Sequence, residues 1–191
     1  MEVLKEKIRR EGKALNEHVL KVDGFINHQV DSILMEQIGE EFAKHFGTKE
    51  IDKVVTIESS GIAPAVMTAR KLGKDMIILK KKVSKVLNDD LLQTPVISFT
   101  KGEEYNLTMS KRFIKEGEKV LIIDDFLANG EACSGAIRLL KEAKAQIVGI
   151  GILIEKSFQP GREKLEEQGM EVYSLARIKS MSEGKIEFVG E

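Results

Sequence analysis

The 191-residue chain has one cysteine, Cys133, so no intrachain disulfide can hold its fold. Histidine is nearly as scarce, and three residues with no cluster at metal-ligand spacing argue against a zinc site. No apolar run approaches the roughly 20 residues that a membrane-spanning helix needs. The opening MEVLKEKIRREGKAL alternates charged and apolar residues and lacks the uninterrupted apolar core of a secretory signal. A soluble protein of the reducing cytoplasm is the expectation. An excess of either charge is also missing: Lys plus Arg total 30 against 31 Asp plus Glu, which gives no bulk attraction to nucleic acid or to an anionic membrane. An anionic substrate must therefore be gathered by local charge. Repeats, low-complexity tracts and an interdomain linker are absent as well. With 42% apolar and 32% charged residues, the composition is that of a globular chain. Its length suits one α/β domain that buries about 70% of the surface its unfolded chain would expose.

The apolar pattern alternates between two periods. Val3, Leu4 and Ile8 recur at helical spacing over residues 2–11, and Gly12 supplies a stop. Asp31 or Ser32 caps a second helix in which Leu34, Ile38, Phe42 and Phe46 recur every four positions up to Gly47. Short apolar strands and helices then follow one another: strand 54–57, helix 64–72, strand 76–79, a mixed segment 80–110, strand 120–123, a helix to about Ala143, strand 147–154 and a helix after Pro160. Such alternation predicts an α/β fold, a largely parallel sheet flanked by helices, with ligands held outside the carboxyl ends of the strands.

Residues 120–132, VLIIDDFLANGEA, carry the most information. The run Val120–Ile123 is short enough to be a strand buried on both faces, and it delivers Asp124 and Asp125 to that strand's carboxyl end. The small loop Ala128, Asn129, Gly130, Glu131, Ala132 then opens a helix, so its N–H groups form an anion site. Many strands end in Asp only to start a turn, but two carboxylates beside an anion cradle also suit a sugar phosphate such as ribose 5-phosphate. A second strand–loop–helix unit, Glu58-Ser59-Ser60-Gly61 before Pro64, repeats the anion design with two hydroxyl donors.

These residues resemble the phosphoribosyl diphosphate (PRPP) signature of type I phosphoribosyltransferases. The chain has Asn129 where that signature has Thr, Glu131 where it has a second Gly, and Ala132 where it has a hydroxyl. Together with VLKVDGFINHQVD at 19–31, TIESSGIAPAVMTARKLG at 56–73 and GIGILIEKSFQPGREKL at 149–165, the variant loop is similar to that of the bacterial xanthine phosphoribosyltransferases of purine salvage. The similarity runs nearly end to end.

The resemblance implies a type I phosphoribosyltransferase-like fold with a small hood, built from about 15–30 and from the segment about 80–110 with its lysines Lys80, Lys81, Lys82 and Lys85. The implied substrates are PRPP and xanthine, the implied cofactor is Mg2+, and a homodimer is implied too. Asp124 and Asp125 would meet the ribose hydroxyls and the positive charge growing on the sugar. Residues 128–132 would hold the 5-phosphate, with Glu131 turned to solvent. Ser59, Ser60, Gly61 and Lys81 would hold diphosphate. Lys156 would donate to the 6-oxo group of the base and favour the xanthine anion, Asn27 would meet its 2-oxo group, and Leu20 and Phe158 would cover the ring. Which residues ligate the metal directly stays open. Two alternatives remain at this stage: a guanine- or hypoxanthine-preferring enzyme, and a non-catalytic PRPP-sensing regulator, which usually needs a DNA-binding module for which this chain has neither the length nor a basic face.

Overall fold

The structure is a computed structural model and describes residues 1–81, 90–98 and 103–191. Lys82, Lys85 and Gly102 of the expected hood lie outside the described residues. Helix α1 (Glu2–Glu11) buries Leu4 and Ile8, one turn apart on one face, and ends where the Gly12 N–H bonds back to the Ile8 carbonyl at 2.8 Å. Strands β1 (Lys13–Ala14) and β2 (Leu20–Lys21) form a small antiparallel pair, followed by a π-helical turn at Asp23–Asn27. Helix α2 (Ser32–Phe46) is capped by Asp31, whose carboxylate accepts the Leu34 N–H at 3.1 Å.

From here strand and helix alternate as expected: β3 (Lys53–Ile57), α3 (Ile62–Leu72) and β4 (Asp75–Leu79). The mixed segment proves to be an antiparallel hairpin, β5 (Leu91–Ser98) with β6 (Glu103–Ser110). Then come β7 (Lys119–Leu127), α4 (Glu131–Glu142), β8 (Gln146–Lys156) and α5 (Gly161–Glu166). Two further strands, β9 (Val172–Ser182) and β10 (Lys185–Phe188), complete the chain and were not anticipated from the apolar pattern.

The main sheet has the order β10-β9-β8-β7-β3-β4 and is parallel except where β10 returns antiparallel to β9. Alternate residues of β7 serve two cores. Leu121 and Ile123 face a cluster that includes Phe42, Phe46 and Phe25, whereas Val120 and Ile122 face one that includes Leu139, Leu140 and Leu165. A strand covered on both faces must be apolar throughout, which is why this run could be read from sequence.

The β5–β6 hairpin is not a solvated edge. Its Leu92, Val96, Leu107 and Met109 are buried in the second core. Arg138 of α4 pins it further, donating from Nε to Thr94 Oγ1 at 2.9 Å and from Nη2 to the Pro95 carbonyl at 2.6 Å. At the other edge, reciprocal backbone bonds of 2.8–2.9 Å between Lys80 and Thr108 tie the hairpin to the end of β4.

Candidate active site

A cavity of about 790 Å³ opens at the carboxyl ends of β3, β7 and β8, where a parallel sheet exposes its loops. Its wall contains Ser59 and Ser60 after β3, Asp124 and Asp125 on β7, the whole loop 128–132, Lys81, and Lys156 at the end of β8. Residues spread over almost 100 positions of sequence thus share one space.

β7 continues two residues past the acid pair to Leu127, so Asp124 and Asp125 are part of the strand and not of the loop beyond it. Asp124 is 5% exposed and Asp125 is half-buried, and both line the cavity. Asp124 Oδ1 accepts the Asp125 N–H at 3.0 Å, and the buried Cys133 thiol lies 3.9 Å from Oδ2. Burial, reinforced by the neighbouring Asp125 charge, pushes the Asp124 carboxyl well above the ordinary carboxylate range. Burial also raises Asp125. Two adjacent acids in this setting hold their full charge poorly.

The loop after β7 enters α4 through Gly130, whose φ of +80° is left-handed backbone that favours glycine. Its outer side rests on α5. The Gly161 N–H donates to the Ala128 carbonyl at 2.9 Å, and a Cβ at Gly161 would lie 2.2 Å from that oxygen and 3.0 Å from the Gly130 nitrogen. The segment SFQPG therefore acts as a brace that shapes the loop. Glu131 does not simply face solvent: its carboxylate takes the Lys164 ammonium of α5 at 2.9 Å, which holds its charge against that helix.

The loop after β3 is packed just as closely. Gly61 leaves room for Asp124, since a Cβ there would stand 3.0 Å from Asp124 Oδ1 and 2.4 Å from Thr56 Oγ1. The glycine thus lets the loop after β3 lie against Asp124 of β7 and does not itself line the cavity. Glu58, absent from the sequence-derived site, lines it and accepts the Lys81 N–H at 2.6 Å, with Lys80 Nζ 3.4 Å from its other oxygen. It thereby fixes where the two lysines leave β4. Lys81 Nζ lies 5.6 Å from the centre of the Tyr105 ring, which the hairpin brings to the cavity.

Lys156 is 8% exposed, and burial lowers its pKa. It donates to the His18 carbonyl at 2.5 Å and lies 5.5 Å from the centre of the Phe126 ring. Phe158 also lines the wall. Leu20 and Asn27 do not. Leu20 is 8% exposed and points into the first core from β2, whereas Asn27 ends the π-helical turn with its side chain exposed. The residues from that region that do reach the wall are Asn16, His18 and Val19. They stand in a short exposed turn with no apolar pattern, so no periodicity pointed to them.

Among the described residues, no three His, Cys, Asp or Glu side chains cluster to cage a metal ion. An all-oxygen pair such as Asp124 and Asp125 still fits Mg2+, which keeps several waters and is commonly held by one or two carboxylates plus substrate phosphates. Among the described residues, no helix is long and apolar enough to cross a membrane.

Residues 29–183 match the phosphoribosyl transferase domain family. The xanthine phosphoribosyltransferase of Agathobacter rectalis is 59% identical over 191 residues, the full length of both chains. Xanthine phosphoribosyltransferase 1 of Clostridium botulinum is 60% identical over 189 residues, 99% of this chain and 100% of that one. Among solved structures, adenine phosphoribosyltransferase from Rhodothermus marinus aligns with a TM-score of 0.75 over 93% of this chain and 99% of that one. At 24% identity that likeness concerns the fold alone.

Proposed function

The chain belongs to the phosphoribosyltransferase family, and from that premise we propose that its cavity transfers the 5-phosphoribosyl group of PRPP to xanthine, giving xanthosine 5'-monophosphate and diphosphate in purine salvage. The observation that carries this reading is the meeting, in one cavity, of two anion-binding loops, an acid pair and a buried lysine. One domain, with hood elements from about 15–30 and about 80–110, supplies all of them.

In the reaction the C1–O bond to diphosphate breaks, a bond from C1 to a base nitrogen forms, and that nitrogen gives up its proton. The sugar passes through a cation-like state, so placement and charge matter more than strong acids or bases. Asp124 and Asp125 face the ribose hydroxyls and the positive charge that develops at C1. The N–H groups at the start of α4 hold the 5-phosphate, and Ser59, Ser60 and Lys81 hold the departing diphosphate. Mg2+, bound with PRPP near the acid pair, would neutralise the charge growing on that leaving group.

Lys156 provides donors only, which suits the 6-oxo group of an oxopurine and opposes the 6-amino donor of adenine. Leu20 and Asn27 reach a base in this cavity only if the segment 20–27 moves inward. The reading places the enzyme in the cytoplasm as a homodimer, a state that light scattering on the purified protein would check.

The decisive experiment is a competition in which xanthine, guanine, hypoxanthine and adenine share limiting PRPP with Mg2+ present. Xanthosine monophosphate should dominate. Turnover that favours guanine or hypoxanthine would replace the substrate, and PRPP binding without turnover would leave a sensor. K156M should lower kcat/KM for xanthine by about 10–100-fold, the loss of one charge-assisted hydrogen bond. G161A should lower kcat/KM for PRPP by about 10²-fold, because its methyl displaces the phosphate loop by a fraction of its width. A KM for PRPP and a kcat both unchanged in G161A would show that the brace has no role.

A further inference from the structure

The turn at the cavity mouth does more than fill space. Asn16 Oδ1 accepts two backbone N–H groups, those of His18 and Val19, each at 2.8 Å, and the Leu15 N–H bonds to the Val19 carbonyl at 2.9 Å. This is the hydrogen-bonded turn that an Asn side chain builds on its own backbone. All five residues, Leu15 to Val19, are exposed, with Leu15 at 45% and Val19 at 39%, so packing does little to hold the turn. Its shape rests on the Asn16 amide. That shape aims the His18 carbonyl at Lys156 Nζ, 2.5 Å away.

We infer that Asn16 is a positioning residue for base recognition: by pinning the 15–19 turn it holds the His18 carbonyl on Lys156 and so directs the remaining protons of that ammonium into the cavity. An ammonium carries three donors in a fixed tetrahedral spread, and occupying one of them restricts where the other two point. Burial lowers the pKa of Lys156, and the His18 carbonyl that accepts from its Nζ is a dipole that supports the charged form. Without the Asn16 acceptor the turn gains conformations, the carbonyl leaves, and a long flexible side chain samples rotamers that miss the base. This rests on the assignment of Lys156 to the base. Asn16 itself lines the wall, but its amide oxygen is spent on its own backbone.

The test is a steady-state kinetic cycle with N16A, K156M and the double variant, and with N16D as rescue, since an Asp carboxylate accepts the same two N–H groups. N16A should raise KM for xanthine about tenfold, a loss comparable to a net hydrogen bond, with kcat and KM for PRPP within about twofold of wild type. N16D should restore the xanthine KM, and N16A should add nothing in the K156M background, because coupled residues are not additive. N16G, which also removes the acceptor, serves the same arm if N16A melts early. An unchanged xanthine KM, an equal rise in both KM values, additivity with K156M, or failure of N16D to restore would each overturn the assignment of Asn16. If K156M itself leaves the xanthine KM unchanged, the base-site reading is what fails, and the two failures are told apart by that single variant.

Discussion

D124N and D125N are expected to lower kcat by about 10²–10³-fold, the range seen when one preorganised electrostatic group is removed from an active site, while leaving the protein at least as stable as wild type. The two effects share one cause. Burial and the adjacent Asp125 charge raise the folded-state pKa of Asp124 above its unfolded value. A group raised in this way binds its proton more tightly when folded, so the stability it contributes is present below the unfolded pKa and is lost as pH rises through the folded one. At neutral pH the acid pair therefore costs stability. Asparagine has nearly the same shape and no charge, which removes that cost together with the charge that the proposed mechanism turns to the sugar. Thermal melts and steady-state kinetics at pH 7 check both halves, and the melting temperature of wild type should fall relative to that of D124N as pH rises through the raised Asp124 pKa. Turnover of D124N within tenfold of wild type would remove Asp124 from the reaction.

The second large effect concerns stability. Glu155 sits beside Lys156 on β8, faces the opposite way, and is 1% exposed in its side chain. Its carboxylate accepts Arg162 Nη2 at 2.6 Å and Nε at 3.0 Å, Ser157 at 2.7 Å, Ser174 at 2.5 Å and Arg177 Nε at 3.1 Å. Burial alone would raise its pKa, but the hydrogen bonds from Arg162, Ser174 and Ser157 overcome burial and hold it at about 2. A depressed carboxyl contributes stability above its unfolded pKa and loses it as pH falls towards the folded one. Wild type should accordingly lose on the order of 3 kcal/mol between roughly pH 4.5 and pH 2 through this group.

E155A leaves two arginines facing an empty, nearly dry position, and it should cost about 3 kcal/mol at pH 7. In a chain of this length that is a fall in Tm of roughly 10 °C. Because Arg162 also binds the Val172 carbonyl at 3.0 Å, the network joins β8, β9 and α5. Its loss should loosen the brace on the loop 128–132 as well, and under the proposed function KM for PRPP should rise with the fall in Tm. An E155A protein that melts within 2 °C of wild type, roughly the effect of 1 kcal/mol or less, would show that the buried network adds little.

Several elements were legible because their burial is simple. β3 and β7 lie between two cores, so Val54–Val55 and Val120–Ile123 are apolar without interruption. Helix α2 shows its stripe and its Asp31 cap in the sequence because both act locally. β9 was missed for the opposite reason. It alternates between buried and exposed positions and carries Ser174, Arg177, Ser180 and Ser182, so it has no unbroken apolar run. β10 is a short edge strand with one buried residue, Phe188.

The sequence by itself determined the alternating α/β order and the chemistry of its loops: the acid pair at the end of β7, the serine loop before α3 and a lysine at the end of β8. Those features depend on residues adjacent in the chain, where spacing and hydrogen-bonding capacity act directly. Only the tertiary structure decided which of them share a space and what holds each in place. Contacts such as Gly161 on Ala128, Lys164 on Glu131, Glu58 on Lys81 and His18 on Lys156 join residues 23 to 138 positions apart. No periodicity records such pairs, because each is chosen by the packing of whole strands and helices and not by the neighbours of either residue.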